Sequence, residues 1–195
     1  MNEHRELLQK WLRMLFYIQI ASMVLVVINA LTYLDSITVW VNRAITVATV
    51  WCLFQLNAVN PRYRTSAITK AGVLICGLLT LPTNTSGLGL SSSLMLVGSI
   101  CSWVTAYQEY HAHSEVVAEA DEKLAKKWNG LFALEIAVAI GTSIISIIGT
   151  TIMVVTGVLT DTITTVLIGV STVLGLSLEG LYLIYMKRTL KLLEN

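Results

Sequence analysis

The stretch LFALEIAVAIGTSIISIIGTTIMVV, residues 131–155, holds 25 residues and a single charge, Glu135. A helix needs about 20 apolar residues to cross the hydrocarbon core of a bilayer. Inside lipid, backbone N–H and C=O groups find partners only within a helix or a closed barrel. This stretch has the length and continuity of a spanning helix. Two further runs behave alike: residues 14–34 carry no charge at all, and residues 160–186 carry Glu179 deep within an apolar background. Charged residues make up 13% of the chain, against about 25% in a soluble domain. Too few polar side chains are present to cover a water-facing surface, so the chain reads as an integral membrane protein. Its net charge of +1 gives no electrostatic reason to expect a nucleic acid or another polyanion as partner.

Six spans are expected, near 14–34, 39–57, 66–82, 90–108, 129–157 and 160–186, in one all-α domain covering residues 1–195. The second requires Arg43 to snorkel to the interface. The third and fourth are the shorter of the set. After Lys70 the third has only AGVLICGLLTL before Pro82, and the fourth opens on Ser91, Ser92 and Ser93. The stretch TNTSGLGLSSS between them reads as a polar loop, with a hairpin dipping back from the outer face as the alternative.

The basic residues give an independent test. With both termini cytoplasmic, Arg5, Lys10, Arg13, Arg62, Arg64, Lys70, Lys123, Lys126, Lys127, Lys187, Arg188 and Lys191 fall inside, and only Arg43 falls outside. That asymmetry is what the positive-inside rule demands. The expected localisation is therefore the cell membrane, multi-pass, N-in and C-in, with three hairpins opening to the cytoplasm. Trp11, Trp40 and Trp128 fall at expected helix starts and read as interfacial anchors. Residues 107–128, YQEYHAHSEVVAEADEKLAKKW, read as a cytoplasmic helical extension of the fourth helix, or a separate helix there. Glu119–Lys123 and Glu122–Lys126 are spaced there as i,i+4 pairs.

The charges within the spans are the candidate site. Glu135 lies seven residues after Trp128, and Glu179 eight before Lys187. At 1.5 Å per residue both sit about 10–12 Å in from the cytoplasmic ends, level with one another on antiparallel neighbours. Helical spacing adds Thr142 and Ser146 to the face of Glu135, and Thr172 and Gly175 to that of Glu179. Ionisable groups in a membrane segment face a bundle interior or a water-filled path. Glu135 and Glu179 are thus expected to form a proton or cation site, with Lys70 as charge partner and Thr142, Ser146 and Thr172 lining a polar track. The competing reading is a buried ion pair between Lys70 and a glutamate, with Ala133, Ala137, Gly141 and Gly149 serving close helix packing. Glu109 and His113, spaced i,i+4, are a candidate pair of metal ligands.

No G-x-S-x-G, HExxH, GxGxxG, P-loop or TVGYG pattern is present, so no enzyme activity and no cofactor are expected. Cys52, Cys76 and Cys101 form no CxxC pair and read as small buried hydrophobes. Length, six helices and inward termini resemble the substrate-binding subunits of energy-coupling-factor vitamin transporters. Helix 1, YIQIASMVLVVINAL, lacks the AxxxA pattern of those subunits, and the chain is assigned to no family. The expected function is a small transporter or channel-type subunit moving a cation, a proton or a coupled small solute. It is expected to work in the lipid bilayer as a homo-oligomer or with a partner membrane subunit. The alternative is a non-catalytic membrane scaffold or effector whose 107–128 helix docks a soluble partner.

Overall fold

The computed structural model describes residues 2–32, 35–80, 88–156 and 161–194. These residues form six helices: α1 (Asn2–Thr32), α2 (Asp35–Leu56), α3 (Arg62–Leu79), α4 (Leu88–Val117), α5 (Glu122–Thr156) and α6 (Asp161–Glu194). Four of them contain stretches long and apolar enough to cross a membrane: His4–Asn29, Thr38–Leu56, Glu122–Gly149 and Gly169–Glu194. Each helix packs against its neighbours in sequence, and α6 returns to α1, so the six close into a ring.

The helices run well past the apolar stretches that signal them. Residues 2–13 extend α1, and residues 187–194 extend α6. Apolar length marks only the part a bilayer covers; a helix end that packs on its neighbours needs no apolar continuity. The segment 107–128 illustrates this. It is the end of α4, a turn over 118–120 and the start of α5. Asp121 Oδ1 accepts from the Leu124 backbone N–H at 2.9 Å, which caps the first turn of α5. Within the segment Ala112, Val117, Leu124, Ala125 and Trp128 are buried in the protein's own core. Glu119 falls in the turn, leaving Glu122–Lys126 as the i,i+4 pair that forms, at 2.7 Å.

The start of α3 is set in the same way. Pro61 fixes its own φ at −64° and has no N–H to leave unsatisfied. Asn60 Oδ1 accepts from the Arg62 backbone N–H at 2.9 Å. The third and fourth helices, shorter in apolar length, are held together closely. Thr69 and Thr105 hydroxyls meet at 2.7 Å, and a Cβ on Gly72 would lie 3.1 Å from Cys101 Sγ. A side chain at position 72 would press on Cys101, so glycine eases the close approach of α3 to α4 here.

The buried apolar side chains gather at one end of the ring. Leu12 and Leu15 of α1, Leu53 and Leu56 of α2, Tyr63 and Ala67 of α3, Trp128 and Leu131 of α5, and Met186 and Leu190 of α6 form one core cluster. Arg5 Nε donates to Leu193 O at 3.0 Å, and Arg13 meets Glu194 at 2.9 Å, joining the first and last helices at this same end. Further along, the helix surfaces turn apolar groups outward: Ile144, Ile147 and Ile148 are 52%, 65% and 54% exposed. Hydroxyls there, such as those of Ser143 and Thr151, bond back to the carbonyl four residues earlier at 2.7 and 2.8 Å.

Two sequence expectations change. Trp128 is no interfacial anchor: it is fully buried, with Nε1 donating to Thr189 Oγ1 at 3.2 Å. Trp40 is 64% exposed and carries the Arg43 guanidinium 4.7 Å above its ring. The Ala133–Gly149 ridge is not a packing seam along its length. Ala133 and Ala137 are exposed, and a Cβ on Gly141 would meet nothing within 4 Å among the described residues. Of the stretch 83–93 considered as a loop or a hairpin, residues 88–93 are the start of α4, and residues 83–87 lie outside the described residues.

Candidate functional site

A cavity of about 270 Å³ opens inside the ring. Gln19 of α1, Lys70 of α3, Glu109 and Tyr110 of α4, Glu135 of α5, and Glu179 of α6 line it. Helical periodicity explains how each element delivers its groups. On α4, Ser102, Thr105, Ala106 and Glu109 stand at steps of three, one and three, which keeps them on one face. On α6, Gly175, Leu178, Glu179 and Tyr182 do the same. Gly175 keeps that face short where the cavity needs room.

Glu135 and Glu179 therefore share one chamber with Lys70. Their distance from the helix ends is greater than the sequence suggested. Glu135 is 13 residues from the start of α5 and Glu179 is 15 from the end of α6, about 20 Å in each case. Lys70 forms an ion pair with neither of them among the described residues. Its ammonium is nonetheless near enough to act electrostatically on Glu109, Glu135 and Glu179 alike. Oε2 of Glu135 and Oε2 of Glu179 are both buried without a hydrogen-bond partner among the described residues. A dry ion pair would have satisfied those oxygens, so the geometry is that of a charged cavity.

Thr142, Ser146 and Thr172 do not line the cavity. Thr142 Oγ1 donates to its own helix, at 3.0 Å to Val138 O, and Ser146 is exposed. The hydroxyls of Thr142 and Ser146 on α5 thus add nothing to this cavity.

The floor of the cavity lies among groups that the sequence placed elsewhere. Glu109 is 8% exposed, and Tyr182 donates to its Oε1 at 2.6 Å. His113 is fully buried. Its Nε2 is 3.3 Å from the Tyr182 oxygen and its Nδ1 is 2.7 Å from the Tyr63 oxygen. Metal ligation by His113 and Glu109 is corrected by these distances. Both ring nitrogens face hydroxyls, and the Nε2–Oε1 separation is 3.7 Å with Tyr182 between the partners. Among the described residues no group of three or more His, Cys, Asp or Glu is arranged to hold a metal ion. The Trp128 ring lies 4.6 Å from His113 and 5.3 Å from Tyr182, closing the floor with aromatic surface.

At the surface beside Tyr63, Arg62 Nε meets Glu115 Oε1 at 2.7 Å and Asn60 Nδ2 donates to Glu115 Oε2 at 2.8 Å. Desolvation opposes ionisation of Glu115, but these hydrogen bonds and the Arg62 charge outweigh it and hold the carboxyl below its usual range.

Tyr110 and Tyr182 are cavity residues that sequence reasoning missed, and Glu109 was singled out there only as a candidate metal ligand. Their signal was spacing: Glu109 follows Thr105 by four, and Tyr182 follows Glu179 by three. Tracing each glutamate's helix face in both directions finds them.

No protein-family model, curated protein or solved structure matches this chain. What the fold and the site define is therefore a class: an all-helical protein, with four helices able to cross a bilayer, built around a charged internal cavity.

Proposed function

We propose that the protein is a six-span membrane transporter or channel-type subunit, with both termini cytoplasmic, that moves a cation, a proton or a coupled small solute. The observation that carries this reading is the shared cavity. Three carboxylates, Glu109, Glu135 and Glu179, face one ammonium, Lys70. Fully ionised, they leave an excess of two negative charges in a partly enclosed cavity. Such an excess is costly unless protons or a cation enter. Glu135 and Glu179 offer unpartnered oxygens to whatever enters.

The orientation rests on the basic residues. The up-and-down order of the helices brings the starts of α1, α3 and α5 and the end of α6 together, and twelve of the thirteen Lys and Arg residues lie in those segments. The positive-inside rule makes that end cytoplasmic. A plasma-membrane setting and assembly with further copies or a partner subunit belong to the same proposal. The scaffold alternative is less well supported, because Ala112, Val117, Leu124, Ala125 and Trp128 of this segment are buried in the protein's own core.

The test is flux in liposomes. Wild-type protein is reconstituted, and movement of protons and of Na⁺, K⁺ and an organic ammonium ion is followed against Glu135→Gln and Glu179→Gln. Flux is expected in the wild type. Each substitution should lower it by about tenfold or more, the factor that corresponds to 1.4 kcal/mol of lost interaction, with an unchanged melting temperature. Absence of flux for every cation, with the substitutions altering only thermal stability, overturns the reading.

A further inference from the structure

We infer that the cavity takes a short linear diamine, a dication with an ammonium at each end and a hydrocarbon middle. The inference deepens the transport reading and rests on it, because it names what enters the same cavity.

Charge sets the first requirement. Glu109, Glu135 and Glu179 carry three negative charges when ionised, and Lys70 offsets one of them. Two remain. A monovalent cation leaves one uncompensated, and a zwitterion leaves both. Uncompensated charge is costly in a partly enclosed, poorly screened site. A dication cancels the excess.

Hydrogen bonding sets the second. Glu109 already accepts from the Tyr182 hydroxyl at 2.6 Å. The cavity's buried carboxylate oxygens without a partner among the described residues are Glu135 Oε2 on α5 and Glu179 Oε2 on α6. The open acceptors are thus as many as the uncompensated charges, and two different helices hold them. An ionised carboxylate only accepts, and an alkylammonium only donates, with three N–H groups at each end. One ammonium for each glutamate meets both demands at once. Charge-assisted bonds of this kind are about twice as strong as neutral ones.

A divalent metal ion also carries two charges, and the layout of the site separates the two. A metal concentrates its charge at one point and favours carboxylates gathered round it. Three carboxylates line this cavity, yet among the described residues no group of three or more His, Cys, Asp or Glu is arranged to hold a metal ion. Two charges spread along a chain suit acceptors spread along a wall.

Size and surface agree. The cavity measures about 270 Å³, against about 30 Å³ for one water in the liquid, which is room for a molecule of several heavy atoms. Ala106 of α4 and Gly175 and Leu178 of α6 give the lining apolar surface. Such surface covers methylene groups and offers nothing to a hydrated metal ion. Tyr110 and Tyr182 also line the cavity, with ring centroids 5.9 Å apart. Tyrosine rings attract alkylammonium groups through their faces.

The test is equilibrium dialysis of radiolabelled 1,4-diaminobutane against the purified full-length protein in detergent at pH 8, where an alkylamine is charged. Unlabelled 1-aminobutane, 4-aminobutanoate and Mg²⁺ serve as competitors. The diamine should bind at least about tenfold more tightly than 1-aminobutane, the scale of one added charge-assisted contact, and more tightly than the other two. Glu135→Gln and Glu179→Gln should each weaken diamine binding by about tenfold or more at an unchanged melting temperature. A role confined to stability would move the melting temperature and leave binding by the folded protein alone. If neither variant folds, the ranking of the four compounds on the wild type decides by itself. Equal affinity for diamine and monoamine, tighter binding of Mg²⁺ or 4-aminobutanoate, no bound diamine, or undiminished binding in both folded variants overturns the inference. Dialysis involves no gradient across a membrane, so the two readings fail separately. Flux of inorganic cations without diamine binding discards the diamine alone. Diamine binding without flux of any cation discards transport alone.

Discussion

The Tyr182 hydroxyl of α6 and the Glu109 carboxylate of α4 meet at 2.6 Å, although 73 residues separate them in the chain. This bond is one of the contacts that join α4 to α6, which both also pack on α5. It gives a buried carboxylate the donor it needs. Tyr182→Phe keeps the ring and its packing but removes that donor. The expected cost is about 1–3 kcal/mol, because a buried acceptor is left short of a partner. Thermal unfolding in detergent measures it. Combining Tyr182→Phe with Glu109→Gln should cost less than the sum of the two single changes, since both disrupt one interaction.

Lys70 supplies the cavity's one positive charge. Replacing it by Gln leaves the three carboxylates without an internal counter-charge. On the proposed transport reading, cation binding should then tighten by about tenfold or more, the scale of removing a like charge a few ångström away in a poorly screened site. The half-saturating cation concentration for flux in liposomes reports this. Weaker binding would mean that Lys70 positions the carboxylates instead of opposing the cation.

Trp128 touches the rings of Tyr110, His113, Tyr182 and Tyr185 and donates to Thr189. It ties α4, α5 and α6 together at the packed end. Trp128→Ala opens a cavity there and should destabilise the fold by about 3–5 kcal/mol. Trp40→Ala, at an exposed ring, should change the melting temperature far less. Parallel melting curves for the two variants make the comparison.

Glu115 gives a pH dependence with a definite sign. Its carboxyl is held below its ordinary value of 4.5 by Asn60 and Arg62 despite the cost of desolvation. The stabilisation is therefore present above 4.5, and it is lost as pH falls through the lower value of the folded state. The side chains are 49% and 35% exposed, so screening limits the effect to below about 1 kcal/mol. Melting temperature followed from pH 7 downwards should fall less steeply below 4.5 in Glu115→Gln than in the wild type.

The number and order of the helices were legible in the apolar runs, and all six appear among the described residues. Helix ends were not. α4 runs to Val117 and α6 to Glu194 because their last turns pack on neighbours, and such turns carry no long apolar signature. The same reason misplaced Trp128. A tryptophan beside basic residues at a helix start looks interfacial until α6 is seen to cover it. Of the candidate site, Glu135, Glu179 and Lys70 could be found because a charge within an apolar run stands out. Glu109 and His113 could not be separated from an ordinary polar segment, since burial by α3, α5 and α6 is what distinguishes them.

Apolar length and the lopsided distribution of Lys and Arg are properties of the unfolded string, and lipid reads them one helix at a time. They were enough to establish an all-helical chain with carboxylates in costly positions. Which carboxylates share a chamber, which hydroxyls turn back to their own backbone, and how Tyr63, His113, Tyr182 and Glu109 come into line depend on the rotation of each helix about its axis. That rotation is set by contacts between helices distant in sequence, such as α1 with α6, and no single run of residues encodes it.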